Sequence, residues 1–131
     1  MARSRTEAEI AARTRQASLK LLYAQYRHNS TRSRIFFGLT MAQLESITSQ
    51  PCTYCKAEPT ARKGYYSRGK PQHPEHWYAY NGIDRKCNSL GYIIENCVPC
   101  CRVCNSVKGE HLTFDEMLAA MKAILGFRQN A

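Results

Sequence analysis

At 131 residues, 44% of them hydrophobic and 10% aromatic, the chain is long enough for one small core and too short for several. Nineteen basic against ten acidic side chains leave a net charge of +9, which attracts polyanions, so nucleic acid or an anionic membrane surface is the expected partner. No run approaches the ~20 apolar residues of a membrane span, and Met1-Ala2-Arg3-Ser4-Arg5 leads into polar residues rather than a leader's apolar core, which favours an intracellular setting, cytoplasm or nucleus.

Residues 4 to about 28 are predicted helical, with Glu7, Ala8, Ala11 and Ala12 as good formers and Ile10, Leu21, Leu22 and Tyr26 as an imperfect apolar stripe. The other faces are basic. Residues 1–35 carry eight cationic side chains against Glu7 and Glu9, so two thirds of the net surplus sits in the first quarter of the chain. Arg13, Arg15, Lys20, Arg27, Arg32 and Arg34 are therefore candidate phosphate contacts, an arm that adds affinity without reading bases. His28-Asn29-Ser30-Thr31 is read as the helix exit. Thr40 with Gln43 forms a capping box for a second short helix running to about Ser49, with Leu44 and Ile47 on its core face.

Cys52-Thr53-Tyr54-Cys55 follows Pro51 as a first metal knuckle, and residues 56–76, rich in Gly, Pro, Lys and Tyr without a period, are expected as an extended loop. Beyond them the aromatic run Trp77-Tyr78-Ala79-Tyr80 leads into a strand that ends near Asp84, Gly91 punctuates, and Tyr92-Ile93-Ile94 is expected as a second strand. Pro99 suits the first turn of a helix that Gly109 ends, giving a ββα unit. Thr113 and Glu116 form another capping box, opening a last helix whose Phe114, Met117, Leu118, Met121, Ile124 and Leu125 are core-formers.

Seven cysteines is an odd number, and two Cys-x-x-Cys pairs favour metal binding in a reducing compartment over disulfides. Cys52, Cys55, Cys101 and Cys104 make a closed tetrahedral zinc site, structural because four thiolates leave no position for water. Cys101 is preferred to its neighbour Cys100 because it lies one helical turn from Cys104; Cys87, Cys97 and Cys100 are read as incidental or buried thiols. This site divides the expected organisation into a basic helical extension, 1–50, and a zinc-stabilised unit, 51–131.

Cys101, Cys104, Asn105 and Lys108 recur every three or four residues and so share one helical face, which can meet Asp84 on the preceding hairpin. A carboxylate with an amide oxygen suits Mg²⁺ or Mn²⁺ held mainly through water and substrate phosphate. Taken singly, an Asp closing a strand also makes turns and an Asn in a helix also bonds backbone.

The ordered set Gly82-Ile83-Asp84-Arg85, Gly91-Tyr92, Asn96, then Cys101-x-x-Cys104-Asn105-x-x-Lys108 resembles the HNH (ββα-metal, or His-Me finger) endonucleases, in the zinc-bearing branch of phage, intron and restriction enzymes. The resemblance spans roughly residues 51–118. It implies an α+β fold with a small ββα-metal core, a four-cysteine zinc site and flanking helices, acting on double-stranded DNA to leave 5′-phosphate and 3′-hydroxyl ends, in a setting that includes a virus-infected host. By the same resemblance Asp84 and Asn105 hold the catalytic ion, and Asn96 keeps the hairpin loop in shape. Most members carry a histidine after that Asp as general base. Arg85 stands there instead, and because it stays protonated its natural task is to bind and polarise the scissile phosphate.

A restriction-type branch with this Arg also places a tyrosine near that phosphate, for which Tyr54 is the candidate, and a histidine from before the first knuckle, for which His28 is the candidate with His73 and His76 as rivals in the loop. Lys108 is expected at a phosphate or in solvent. A short chain without a separate reader segment leans towards a homodimer. Two other classes remain: a zinc ribbon that binds nucleic acid without cutting it, favoured by the missing histidine, and a zinc-stapled assembly protein.

Overall fold

Thr6 fixes where the first helix begins: its hydroxyl accepts the Glu9 N–H while the Glu9 carboxylate accepts the Thr6 N–H. In the computed structural model, which describes residues 3–130, helix α1 then runs Glu7–Arg32, one turn past its expected end. Thr40 and Gln43 make the same reciprocal cap for α2, Met41–Thr48. Three two-stranded antiparallel pairs follow. β1 (Ala61–Lys63) pairs with β4 (Tyr78–Tyr80), β2 (Tyr66–Ser67) with β3 (Lys70–Pro71), and β5 (Gly82–Arg85) with β6 (Cys97–Cys100). Helix α3 (Arg102–Lys108) succeeds β6 directly, and the Thr113–Glu116 capping box opens α4, Phe114–Gln129. The β5–β6–α3 succession is the ββα unit.

Its second strand lies later than expected. Tyr92-Ile93-Ile94 forms no strand of the pair; Tyr92 instead exchanges backbone hydrogen bonds with Phe36 and Gly38 as an isolated bridge, and a single 3-10 turn covers Ile94–Asn96. A Cβ on Gly91 would come within 2.4 Å of the Phe36 carbonyl oxygen, so this approach needs glycine. Strand β6 takes Pro99 opposite Ile83, and a missing N–H costs nothing there because that edge of β6 faces away from β5. The neighbouring groups confirm the register: Ile83 N–H goes to the Tyr26 hydroxyl at 3.0 Å, and the Pro99 carbonyl accepts from Thr53 at 2.9 Å. Pro99 therefore lies within a strand rather than starting a helix; Cys101 is the N-cap of α3.

Alternation along β5 divides the interior. Ile83 joins Leu19 and Leu22 of α1, Leu44 and Ile47 of α2, Tyr78 and Cys97 in one core. Asp84, on the opposite face, looks towards the second core of Cys52, Tyr54, Cys100, Cys104, Met117 and Met121. Helix α1 thus supplies central residues of the first core, and packing runs across the boundary expected at residue 50. The segment 56–76 is also more ordered than a plain loop: Arg68 and Gly69, both at positive φ (53° and 75°), close the β2–β3 hairpin, and Trp77 Nε1–H donates to the Gln72 carbonyl at 2.7 Å.

Candidate metal and nucleic-acid site

The four knuckle sulfurs converge. Cys52, Cys55, Cys101 and Cys104 offer Sγ atoms that all lie within 4.8 Å of one another, with Cys55 and Cys101 at 3.6 Å. Zinc–sulfur bonds of about 2.3 Å in a tetrahedron set the sulfurs about 3.8 Å apart, so the cluster fits zinc, whereas a disulfide needs about 2.05 Å. Cys100 stands outside the cluster at the end of β6, its thiol donating to the Cys101 carbonyl at 3.4 Å. The four cysteines join the loop at 52–55 to the start of α3 and rest on Met117 and Met121 of α4.

Directly beside this cluster, Asp84 is 7% exposed and both its oxygens are engaged. Oδ2 accepts from the Tyr54 hydroxyl at 2.5 Å, and Oδ1 lies 3.3 Å from Lys108 Nζ, which also reaches the Arg85 carbonyl at 3.5 Å. Burial, then the hydrogen bond to Asp84, pushes the Tyr54 pKa well above the ordinary phenol value. Tyr54 is therefore held as a neutral phenol that donates its hydrogen bond to Asp84. Lys108, expected at a phosphate or in solvent, is 2% exposed and points inward, because its stem spans the last turn of α3 and the only buried carboxylate among the described residues lies within reach.

Arg85 holds the hairpin loop. Its Nη1 donates to the Asn88 and Leu90 carbonyls, both at 2.9 Å, and the guanidinium lies 5.4 Å from the Tyr92 ring centroid. Among the described residues its Nη2 and Nε protons make no hydrogen bond of ordinary geometry, although the Tyr92 side chain lies beside the guanidinium. Asn96 grips the same loop from inside: Oδ1 accepts from Cys87 N–H at 2.9 Å while Nδ2 donates to the carbonyls of Cys87 and Gly91, each at 3.0 Å. Asn105 is exposed on α3, one turn before Lys108 and so on the same side of the helix. A carboxylate offers about four lone-pair directions, two of them taken here; among the described residues no hydrogen bond joins the exposed Asn105 amide to the buried Asp84. A hard cation at Asp84 would share the carboxylate with the Lys108 ammonium.

The remaining candidates are spread over the surface. His28 is exposed on α1, and no hydrogen bond or ion pair engages it among the described residues; His76 bonds Glu7 at 2.6 Å and His73 approaches Glu75 at 3.9 Å. Arg15 pairs with Glu45 at 2.7 Å and covers the Tyr78 ring, so it serves the fold's own packing. Arg27 lies over Tyr23, while Arg13, Lys20, Arg32 and Arg34 are exposed and meet no carboxylate among the described residues. Sequence reading placed Tyr26 only in the apolar stripe and missed what its hydroxyl does: it takes the outward N–H of Ile83 and so fixes the strand that carries Asp84. Spacing put Lys108 on the helical face that meets Asp84, but its ammonium, expected at a phosphate or in solvent, pairs with that carboxylate instead.

No family model matches the chain. An uncharacterized protein of Acanthamoeba polyphaga mimivirus is 30% identical over 86 residues, which make up 66% of this chain and 13% of that protein. Among solved structures, the rare-cutting HNH restriction endonuclease PacI is similar with a TM-score of 0.59 at 20% identity, over 81% of this chain and 75% of that one. The likeness is one of fold: helices around a small ββα unit beside a four-cysteine cluster, as in an HNH nuclease.

Proposed function

We propose that the chain is a divalent-metal-dependent HNH-type endonuclease that hydrolyses phosphodiester bonds of double-stranded DNA, with zinc as a structural staple. The observation that carries this reading is the meeting of Asp84 from β5 with the inward face of α3, beside the zinc cluster, in a fold like that of PacI. Asp84 and Asn105 would hold Mg²⁺ or Mn²⁺, which supplies charge stabilisation at the phosphate and the leaving oxygen.

The protein's own groups do the rest. Tyr54 and Lys108 fix the Asp84 carboxylate in place from two sides, and Lys108 offsets its charge. Arg85, with two edges of its guanidinium still unbonded, binds and polarises the scissile phosphate. His28 is the candidate for accepting the proton of the attacking water, and the exposed Arg13, Lys20, Arg32 and Arg34 contact flanking phosphates. A homodimer would pair two such sites.

One observation favours a second reading, a zinc-stabilised module that binds nucleic acid without cutting it: both Asp84 oxygens already have protein partners. Incubating zinc-loaded protein with supercoiled plasmid and Mg²⁺ or Mn²⁺ separates the two. Nicked or linear product that disappears in Asp84→Ala, with zinc still bound, supports the endonuclease. Retained cutting in that variant removes Asp84 from the reaction, and salt-dependent binding without product under either ion leaves the binding module.

A further inference from the structure

A groove of about 620 Å³ lies between the N-terminal half of α1 and the β2–β3 hairpin, and Arg5, Arg13, Lys20, Tyr65, Gln72 and His73 line it. No Asp or Glu is among the described residues of its lining, and among those residues Arg5, Arg13 and Lys20 form no ion pair; Glu75 approaches only the His73 ring, at 3.9 Å. The hairpin adds the exposed Arg68 and Lys70 at its tip. Like charges gathered this way weaken the fold unless an anion occupies the space between them.

The groove is braced on both sides. His76 bonds Glu7 at 2.6 Å, tying the turn after the hairpin to the first turn of α1, and Lys63 bonds Gln25 further along the same helix. A ligand therefore meets walls already in place, which spares the entropy of ordering them. Arg13, Lys20 and Arg27 recur every seven residues, so they form a stripe on one side of α1 with steps of about 10 Å. The stripe runs from the groove to the residue beside Tyr26, whose hydroxyl holds the Ile83 N–H next to Asp84.

We infer that this groove is a second DNA subsite, one that grips the sugar–phosphate backbone of duplex flanking the reacting phosphate. The separation of Arg13 from Tyr26 is about 20 Å along α1, equal to about six base pairs at 3.4 Å each. A mononucleotide is too short to touch the whole stripe, whereas a duplex backbone follows it, with Tyr65, Gln72 and His73 as donors to phosphate and sugar oxygens. The location relative to a cut rests on the endonuclease reading; the binding itself does not.

The test measures affinity of zinc-loaded protein for a mixed-sequence duplex of about two helical turns across a salt series, without added divalent ion. Arg13→Ala combined with Lys20→Ala should flatten the slope of log K against log salt by about two, and hydroxyl-radical protection should lose a patch about six base pairs from the Mg²⁺-dependent cut. Arg128→Ala, at the far end of α4, should leave the slope as it is. An unchanged slope in the double variant, or an equal fall in Arg128→Ala, overturns the subsite. Failure of the nuclease reading looks different: no product with Mg²⁺, yet a flattened slope in the double variant.

Discussion

The Lys108 ammonium stands 3.3 Å from Asp84 Oδ1 with only 2% of its residue surface exposed, an ion pair sealed between α3 and β5. Each charge taken out of water is unfavourable alone, and the pair is tolerable because each answers the other. This couples the last turn of α3, the helix that carries Cys104, to the strand of the ββα unit, so four-sulfur cluster, helix and carboxylate form one mechanical chain.

Removing one partner should therefore hurt more than removing both. Lys108→Met leaves a buried carboxylate uncompensated and should cost about 3 kcal/mol or more, a fall in Tm of about 10 °C. Asp84→Asn should act similarly, and the double variant should recover towards the parent. If Asp84 is also the metal's carboxylate, Mg²⁺ should raise the Tm of Lys108→Met, whose Oδ1 is then free, and leave Asp84→Asn unmoved. Thermal melts with and without Mg²⁺ read this, and single variants that melt with the parent would remove the pair from the account of stability.

Metal content tests the knuckles. One zinc per chain is expected, falling well below one in Cys104→Ser and Cys101→Ser but not in Cys100→Ser, whose thiol lies outside the cluster. Because the four sulfurs hold α3 to the loop at 52–55 in a small core, removal of zinc by a strong chelator should also unravel much of the far-ultraviolet dichroism. Zinc loss in Cys100→Ser with full retention in Cys101→Ser would reverse the ligand assignment.

Alkaline stability follows from the tyrosines. Burial pushes Tyr26, Tyr54, Tyr78 and Tyr92 above the ordinary phenol value, and for Tyr54 the Asp84 carboxylate adds to the shift. A group whose folded pKa is raised favours the folded state fully below its unfolded pKa, about 10 for tyrosine, and loses that contribution as pH climbs from there towards the folded value. Stability should accordingly decline above about pH 10, and phenolate absorbance of the native protein should lag behind that of the denatured chain. All eight tyrosines titrating together in the native protein would contradict the burial of these four.

Local signals in the chain were readable wherever they were complete within a few residues. The Thr40–Gln43 and Thr113–Glu116 capping boxes place their helices correctly, and the paired Cys-x-x-Cys motifs specify a four-sulfur cluster by spacing alone. What sequence could not convey depends on partners far along the chain. Tyr92-Ile93-Ile94 has strand composition, but Tyr92 is captured by Phe36 and Gly38, and β5 pairs instead with a stretch containing proline. Lys108 reads as a surface lysine until the fold puts Asp84 at its tip, and α1 reads as an appendage until Leu19 and Leu22 are seen under Ile83.

The hairpin loop offers the sharpest separation of positioning from chemistry. Asn96, 4% exposed, is the one side chain that both gives and takes hydrogen bonds there, accepting from Cys87 N–H and donating to Cys87 and Gly91 carbonyls, while Arg85 ties Asn88 and Leu90 from the outer side. Asn96→Ala removes three hydrogen bonds from this part-buried loop, at about 1 kcal/mol each. Asn96→Asp keeps the acceptor but turns a donor into a second negative oxygen against two carbonyls, so it should be at least as harmful despite its equal size. In either variant the loop loosens and Arg85 loses its fixed aim, so faster amide exchange at residues 87–91 should accompany any loss of plasmid cutting, with zinc still bound. An Asn96→Asp protein that matches the parent in both melt and exchange would mean the loop is held by Arg85 alone.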